Sequence, residues 1–127
     1  MRKLLWAALI GTLVFIFAAH AADITGKWTA EVSAKGAGLN STLKNTFTFK
    51  VEGKKLTGSA NVGFGDDAEI RDGKIDGDRI SFTAFFSFGA GATYEGKVSG
   101  DTIKFSRNME GEDYGTQPAL FTATRVK

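Results

Sequence analysis

Two groups of carboxylates are the side chains of this sequence that are best placed to do chemistry. The first group is Asp66, Asp67 and Glu69, and the second is Glu110, Glu112 and Asp113. Facing carboxylates can hydrolyse a glycosidic bond by acid–base catalysis, and clustered ones can bind Ca²⁺. Neither group has the spacing of a calcium loop, so we interpret both as solvated loop charge. The sequence therefore predicts no catalytic residue, no metal site and no cofactor.

The residues of the commonest catalytic and metal sites are missing from the main part of the chain. The sequence has no cysteine, and its single histidine, His20, lies in the N-terminal apolar segment. Nucleophile–base pairs and structural zinc sites usually depend on these two residue types. We predict that the protein is not an enzyme, with a carboxylate-based hydrolase as the minor alternative.

Residues 1–21 have the three parts of a secretory signal peptide. Arg2 and Lys3 supply positive charge, residues 4–19 form an apolar run, and Ala19 and Ala21 are the small residues that a signal peptidase needs. The run is shorter than the roughly 20 residues of a membrane span. We predict cleavage after Ala21, export to the periplasm or the medium, and one domain over residues 22–127. An uncleaved N-terminal anchor is the alternative.

The basic charge of the whole chain belongs to this N-terminal segment. The chain has 16 basic and 14 acidic residues, and Arg2 and Lys3 account for the difference. A balanced domain gives no electrostatic argument for binding nucleic acid or an anionic membrane. We therefore predict no nucleic-acid partner, and no membrane partner after cleavage.

A short pattern occurs three times, at 50–56, 74–80 and 97–103. Each copy reads lysine, a β-branched residue, a polar residue, glycine, two further mostly charged residues and an aliphatic residue, which is typical of a tight hairpin turn. The flanking runs alternate apolar and polar residues, which predicts antiparallel strands with one buried face. The alternation slips near Asp72, which predicts a bulge. The predicted strands span 26–33, 43–52, 55–62, 68–75, 79–88, 92–98, 102–109 and 119–126.

Eight short strands in consecutive order favour an all-β fold, an antiparallel up-and-down meander closed into a small barrel. Closure removes the free edges of the sheet, and a β-sandwich is the alternative. The tight turns at Gly53, Gly77 and Gly100 fall at one end, which we call the base. Longer, mostly glycine-rich connections fall at the other end, which we call the mouth; they span 33–42, 63–67, 89–91 and 110–118. Because function concentrates in longer loops, the mouth is the predicted functional end.

Trp28 begins the first predicted strand and Arg125 ends the last, so a closed barrel makes them neighbours at the base. A guanidinium over an indole ring contributes about 0.5–2 kcal/mol. Gly26-Lys27-Trp28 together with Arg125 resembles the Gly-x-Trp…Arg signature of the calycins, the lipocalin and avidin superfamily. The resemblance implies a calycin-like barrel whose base this pair seals. We therefore interpret Trp28 as a structural plug and not as a ligand platform.

The departures from this superfamily also matter. Avidins place an asparagine for biotin two residues after this tryptophan, where this sequence has Ala30, and residues 22–127 contain no further tryptophan. The resemblance therefore does not extend to biotin binding. The whole chain is more similar to a set of small exported bacterial β-barrel proteins that share its DITGKWT start and FTATRVK end. That similarity implies the fold and export, and no particular activity.

The alternation turns a set of aromatic side chains toward the interior: Phe47, Phe49, Phe82, Phe86, Phe88, Tyr94, Phe105 and Phe121. An eight-stranded barrel is either filled by its side chains or holds one small ligand. The sequence favours a non-enzymatic exported barrel that binds a small apolar or amphipathic molecule in its open end. Phe86, Phe88 and Tyr94 are the predicted ligand contacts because they lie nearest the predicted mouth, and the Tyr94 hydroxyl is their polar group.

The alternative function is an interaction module with a filled core, either inhibitor-like or structural. Its partner would be an extracytoplasmic protein or the cell wall. The segment with Glu110, Glu112, Asp113 and Tyr114 would form the contact, together with the outward Phe85.

Overall fold

The computed structural model describes residues 22–36, 39–110 and 118–127. It contains eight strands: β1 (Gly26–Gly36), β2 (Leu39–Glu52), β3 (Lys55–Asn61), β4 (Ala68–Asp76), β5 (Arg79–Phe85), β6 (Gly91–Ser99), β7 (Thr102–Glu110) and β8 (Ala119–Arg125). Each strand pairs antiparallel with the next, and β1 also pairs with β8. The predicted all-β meander closed into a barrel is confirmed. Within the described ranges no helix is long and apolar enough to cross a membrane.

Three strand ends differ from the sequence prediction by three residues or more. The expected long connection at 33–42 is mostly strand, because β1 and β2 remain paired as far as Gly36 and Leu39. Backbone hydrogen bonds extend this hairpin beyond the region where hydrophobic alternation marks it. β5 ends at Phe85 and does not reach Phe88, because the Phe86 amide donates to the Ala90 carbonyl and closes a turn.

Two bulges bend the sheet between β3 and β5. The register shifts between Leu56 and Ser59 in the β3–β4 pair, and again between Arg71 and Lys74 in the β4–β5 pair. The second shift confirms the bulge predicted near Asp72, whose φ of 53° is in the left-handed region. Bulges increase the local twist, which helps a short sheet to curve into a barrel.

The middle of the barrel is filled by six aromatic rings that contact one another: Phe47, Phe49, Phe82, Tyr94, Phe105 and Phe121. The closest pair is Tyr94 and Phe82, whose ring centres lie 4.6 Å apart. Burying a side chain of this size contributes roughly 1.5–3 kcal/mol. This ring cluster fixes the positions of the neighbouring strands and forms a floor below the mouth half of the interior.

Candidate ligand-binding site

Two polar side chains point into the interior from the same strand faces as the rings of the ring cluster. Along β2, Asn45 occupies the next inward position after Phe47 toward the mouth, and along β7, Arg107 occupies the next inward position after Phe105. Successive side chains of a strand point to opposite faces, so residues two apart share a face. Asn45 is fully buried, with 1% of its surface exposed. Arg107 is half-buried.

Hydrogen bonds hold these two side chains together. Arg107 Nη1 donates to Asn45 Oδ1 over 3.1 Å. The amide nitrogen of Asn45 lies 3.4 Å from the Val62 carbonyl oxygen and 3.3 Å from that of Leu43, and donates to both. The guanidinium carbon of Arg107 also lies 5.6 Å from the centre of the Phe121 ring. The guanidinium is therefore held between an amide and the ring cluster.

Two polar atoms beside this arrangement have no hydrogen-bond partner among the described residues. They are the hydroxyl oxygen of Tyr94 and Nε of Arg107, and both atoms are buried. Tyr94 and Arg107 stand directly opposite each other in the β6–β7 register. A buried polar group without a partner costs about 1–3 kcal/mol. Such groups are rare in native proteins, so this pair marks the interior as a candidate binding site.

Burial raises the pKa of the Tyr94 hydroxyl above its ordinary value, and Arg107 partly opposes this shift through its positive charge and through the approach of its guanidinium to the phenol oxygen. The hydroxyl is therefore protonated at neutral pH and can donate a hydrogen bond. The Arg107 guanidinium is always charged and carries donors only. Together they offer two donors and one positive charge to any acceptor that reaches them, and a carboxylate is the acceptor with the matching charge.

The mouth half of the interior is lined by alanines together with larger side chains that are also buried, namely Val32, Val62, Ile70 and Phe86. Its inward alanines are Ala30, Ala60, Ala68, Ala84 and Ala92, each with at most 4% of its surface exposed. The next inward position of β7 after Arg107 is Met109, which is partly buried. Alanines reach less far toward the barrel axis than the rings of the middle. The polar donors therefore lie between an aromatic middle and a mouth half lined by alanines and a few larger apolar side chains.

The structure brings two of the three predicted ligand contacts together. Phe86 is buried, and its ring is parallel to that of Phe88 with the centres 5.4 Å apart. Phe88 lies in the turn after β5, 37% exposed, and its ring centre is 4.9 Å from that of Phe64. We call Phe64, Phe86 and Phe88 the mouth cluster. Tyr94 lies deeper, within the ring cluster of the middle.

The predicted partner segment is only partly covered by the described residues. Glu110 is exposed at the end of β7 and stands opposite Gly91. Glu112, Asp113 and Tyr114 lie outside the described residues. Phe85 points outward near the same end and is 63% exposed.

The first carboxylate group, Asp66, Asp67 and Glu69, is exposed in and after the β3–β4 connection. Asp67 accepts a hydrogen bond from Asn61 over 3.0 Å. In ranges 22–36, 39–110 and 118–127, no three histidine, cysteine or acidic residues are grouped so that they could hold a metal ion.

At the base, Arg125 lies over Trp28, with its guanidinium carbon 4.5 Å from the ring centre. Trp28 is fully buried and its indole nitrogen donates to the Ile24 carbonyl over 2.9 Å. Arg125 also donates to the carbonyls of Thr25 and Asp23, and to the Asp101 carboxylate over 3.1 Å. These contacts engage the indole nitrogen of Trp28 and all three nitrogens of the Arg125 guanidinium, as expected for a structural pair.

Asn45 and Arg107 were not among the predicted site residues. The sequence did contain a signal for both, because each lies two residues from a buried phenylalanine of the same strand and therefore on the same inward face. A search for polar residues at inward positions would have found them. Phe64 lies in a connection, where alternation gives no signal.

Comparison with protein-family models, curated proteins and solved structures gives no match for this chain. Any functional assignment therefore depends on the geometry of the barrel itself.

Proposed function

We propose that this chain is an exported, non-enzymatic barrel that binds a small amphipathic acid in the mouth half of its interior. The observation that carries the proposal is the pair of buried donors, Tyr94 Oη and Arg107 Nε, that have no partner among the described residues. A ligand carboxylate would accept from both. The signal-peptide pattern of residues 1–21 supports export.

The surroundings of the two donors support an amphipathic ligand over a fully polar one. The inward alanines would contact its apolar part, and the mouth cluster offers further apolar surface where Phe88 is accessible. Small-molecule sites commonly combine an apolar lining with a few polar groups that fix orientation. The pairing of Arg107 with Asn45 fixes the guanidinium before the ligand arrives, which lowers the entropy cost of binding.

The test compares two ligands of equal chain length, dodecanoic acid and dodecanol, by isothermal titration calorimetry. A hydrogen bond to a charged group contributes about 1.5–3 kcal/mol, so the wild type should prefer the acid by about tenfold to a hundredfold. Arg107→Gln should remove most of that preference and leave the affinity for the alcohol nearly unchanged.

Arg71→Gln is the matched control, because it removes the same positive charge from an exposed position on β4. It should bind both ligands as the wild type does. The proposal fails if the wild type binds neither ligand, or if Arg71→Gln reduces the preference for the acid as much as Arg107→Gln does.

A further inference from the structure

Three cationic side chains form a row across the outer face of the barrel. Arg79 of β5 stands in register with Lys97 of β6, and Lys97 stands in register with Lys104 of β7. All three are exposed. Neighbouring strands lie about 4.8 Å apart, so the side chains leave the sheet at intervals of about 5 Å. We call these three residues the cationic row.

The cationic row forms no ion pair with any described residue, although two acidic residues lie close to it on the same strands or on a paired strand. Asp76 stands opposite Arg79, and Glu95 lies two residues from Lys97 on the same face. The salt bridges formed within the described ranges involve other cations: Lys50, Arg125 and Lys127.

The row is unfavourable for the fold by itself. Like charges that stand directly opposite each other destabilise an antiparallel pair. Lysines are often found on free sheet edges, where they prevent aggregation. In this barrel β5, β6 and β7 are paired on both sides, so there is no edge to protect. The row therefore needs another explanation.

A shallow trough lies along the row. Its larger part is a depression of about 470 Å³ lined by all three cations together with the hydroxyl-bearing Ser106 and Thr122. A second depression, of about 360 Å³, adjoins it, because both are lined by Arg79, and extends it toward Lys74. Glu95 lines both depressions, and Asp76 also lines the second. The larger depression thus keeps an excess of positive charge, three cations against one carboxylate, with hydroxyl donors beside them.

We propose that this trough binds a linear phosphate polymer, with the phosphates lying along the cationic row. The inference is independent of ligand binding in the interior. Cations repeated at about 5 Å match a ligand whose charges also repeat along one direction, and the hydroxyls can donate to further phosphate oxygens. A concave, elongated surface fits a chain better than it fits a compact anion.

Two other anionic partners fit the trough less well. Proteins that bind single-stranded nucleic acid stack the bases on aromatic side chains, and the aromatic residues that line the trough, Phe105 and Phe121, are buried. Docking on a membrane surface uses apolar side chains that insert between lipids. Among the exposed large apolar side chains of the described residues, Leu120 lines the trough, whereas Phe64 and Phe85 lie toward the mouth. A membrane would therefore find a single apolar anchor beside the cationic row.

The experiment measures binding of long-chain inorganic polyphosphate to the purified protein between about 50 and 200 mM salt. The test variant is Lys97→Gln/Lys104→Gln. The matched control is Lys27→Gln/Lys44→Gln, which removes two exposed lysines from β1 and β2 on the other side of the barrel. The test variant should bind about tenfold more weakly, and the slope of log affinity against log salt should fall by about 1.4. The control should bind as the wild type does.

Circular dichroism checks that both variants are folded; removing two repelling charges should not harm folding. The proposal is overturned if the wild type does not bind polyphosphate, or if the control loses as much affinity as the test variant. It is also overturned if single-stranded DNA or vesicles of anionic phospholipid bind more tightly than polyphosphate, since the surface would then serve a nucleic acid or a membrane. Loss of polyphosphate binding with unchanged binding of dodecanoic acid separates this proposal from the interior site.

Discussion

Tyr94 and Arg107 face each other across β6 and β7, and the barrel gives each of them a donor atom without a described partner. A phenylalanine at position 94 would fill nearly the same space without the desolvation cost of a hydroxyl. Natural proteins depart from such local optimisation mainly at functional sites. The Tyr94 hydroxyl therefore costs stability unless a ligand accepts its hydrogen bond.

The substitution Tyr94→Phe tests this cost. We expect it to raise the free energy of unfolding of the ligand-free protein by about 1 kcal/mol, because it removes a buried hydroxyl without a partner. Urea denaturation followed by circular dichroism measures the change. The same variant should bind dodecanoic acid about tenfold more weakly or worse, since the lost hydrogen bond is one to a charged carboxylate. A fall in stability would show that the hydroxyl is already satisfied within the protein.

Among the elements, β3 owes its bend to a residue without a side chain. Gly58 has a φ of 137°, and a Cβ atom built on it would lie 1.8 Å from the Thr48 carbonyl oxygen of the neighbouring strand. Gly53, in the turn between β2 and β3, has a φ of 63° but would meet nothing within 4 Å. Replacing each glycine by alanine therefore distinguishes the cost of an unfavourable φ alone, at Gly53, from the added cost of steric overlap, at Gly58.

We expect Gly53→Ala to lower the free energy of unfolding by about 1 kcal/mol, the cost of a left-handed conformation for alanine. Gly58→Ala should lower it by about 3 kcal/mol or more, because the backbone of β2 must also move. Urea denaturation of the two variants side by side measures both. Equal losses would mean that β3 can adjust without disturbing β2.

Strand alternation was enough to predict these elements and their order. It works because each strand buries one face, so that residues such as Phe47 and Ile103 mark the phase of their strands. It is silent where the sequence lacks an alternating set of large apolar residues, as in the segment after Ser33, and therefore it missed the outer part of the β1–β2 hairpin. The site was harder to predict, because a polar residue in the buried phase, such as Arg107, has the appearance of an ordinary surface residue.

For the molecule as a whole, the barrel is closed unevenly. Over the described residues, β1 pairs with β2 along its entire length, from Gly26 to Gly36, but pairs with β8 at only Trp28 and Thr29. At the base, Arg125 strengthens this contact, because it lies over Trp28 and donates to two backbone carbonyls. We call the β1–β8 contact the seam. It is held at the base and has no register pairs toward the mouth.

Native-state hydrogen exchange should detect this asymmetry. Local opening requires least free energy where the fewest backbone hydrogen bonds are broken. We therefore expect the amides of β8 to exchange sooner than those of β6, which is paired along its length on both sides. Exchange monitored by NMR measures this, with β6 as the internal reference. Equal protection of β6 and β8 would contradict a weak seam.

The same seam has a kinetic consequence. The deepest part of the proposed site lies among packed rings, so a ligand that reaches Arg107 requires the wall to move. The wall moves most cheaply where β1 and β8 part, on the timescale of collective backbone motion. We expect the residence time of a bound acid to follow the opening rate of the seam. The affinity for the acid is then set by the two donors, Tyr94 and Arg107. The rates at which the acid enters and leaves are set by the seam between β1 and β8.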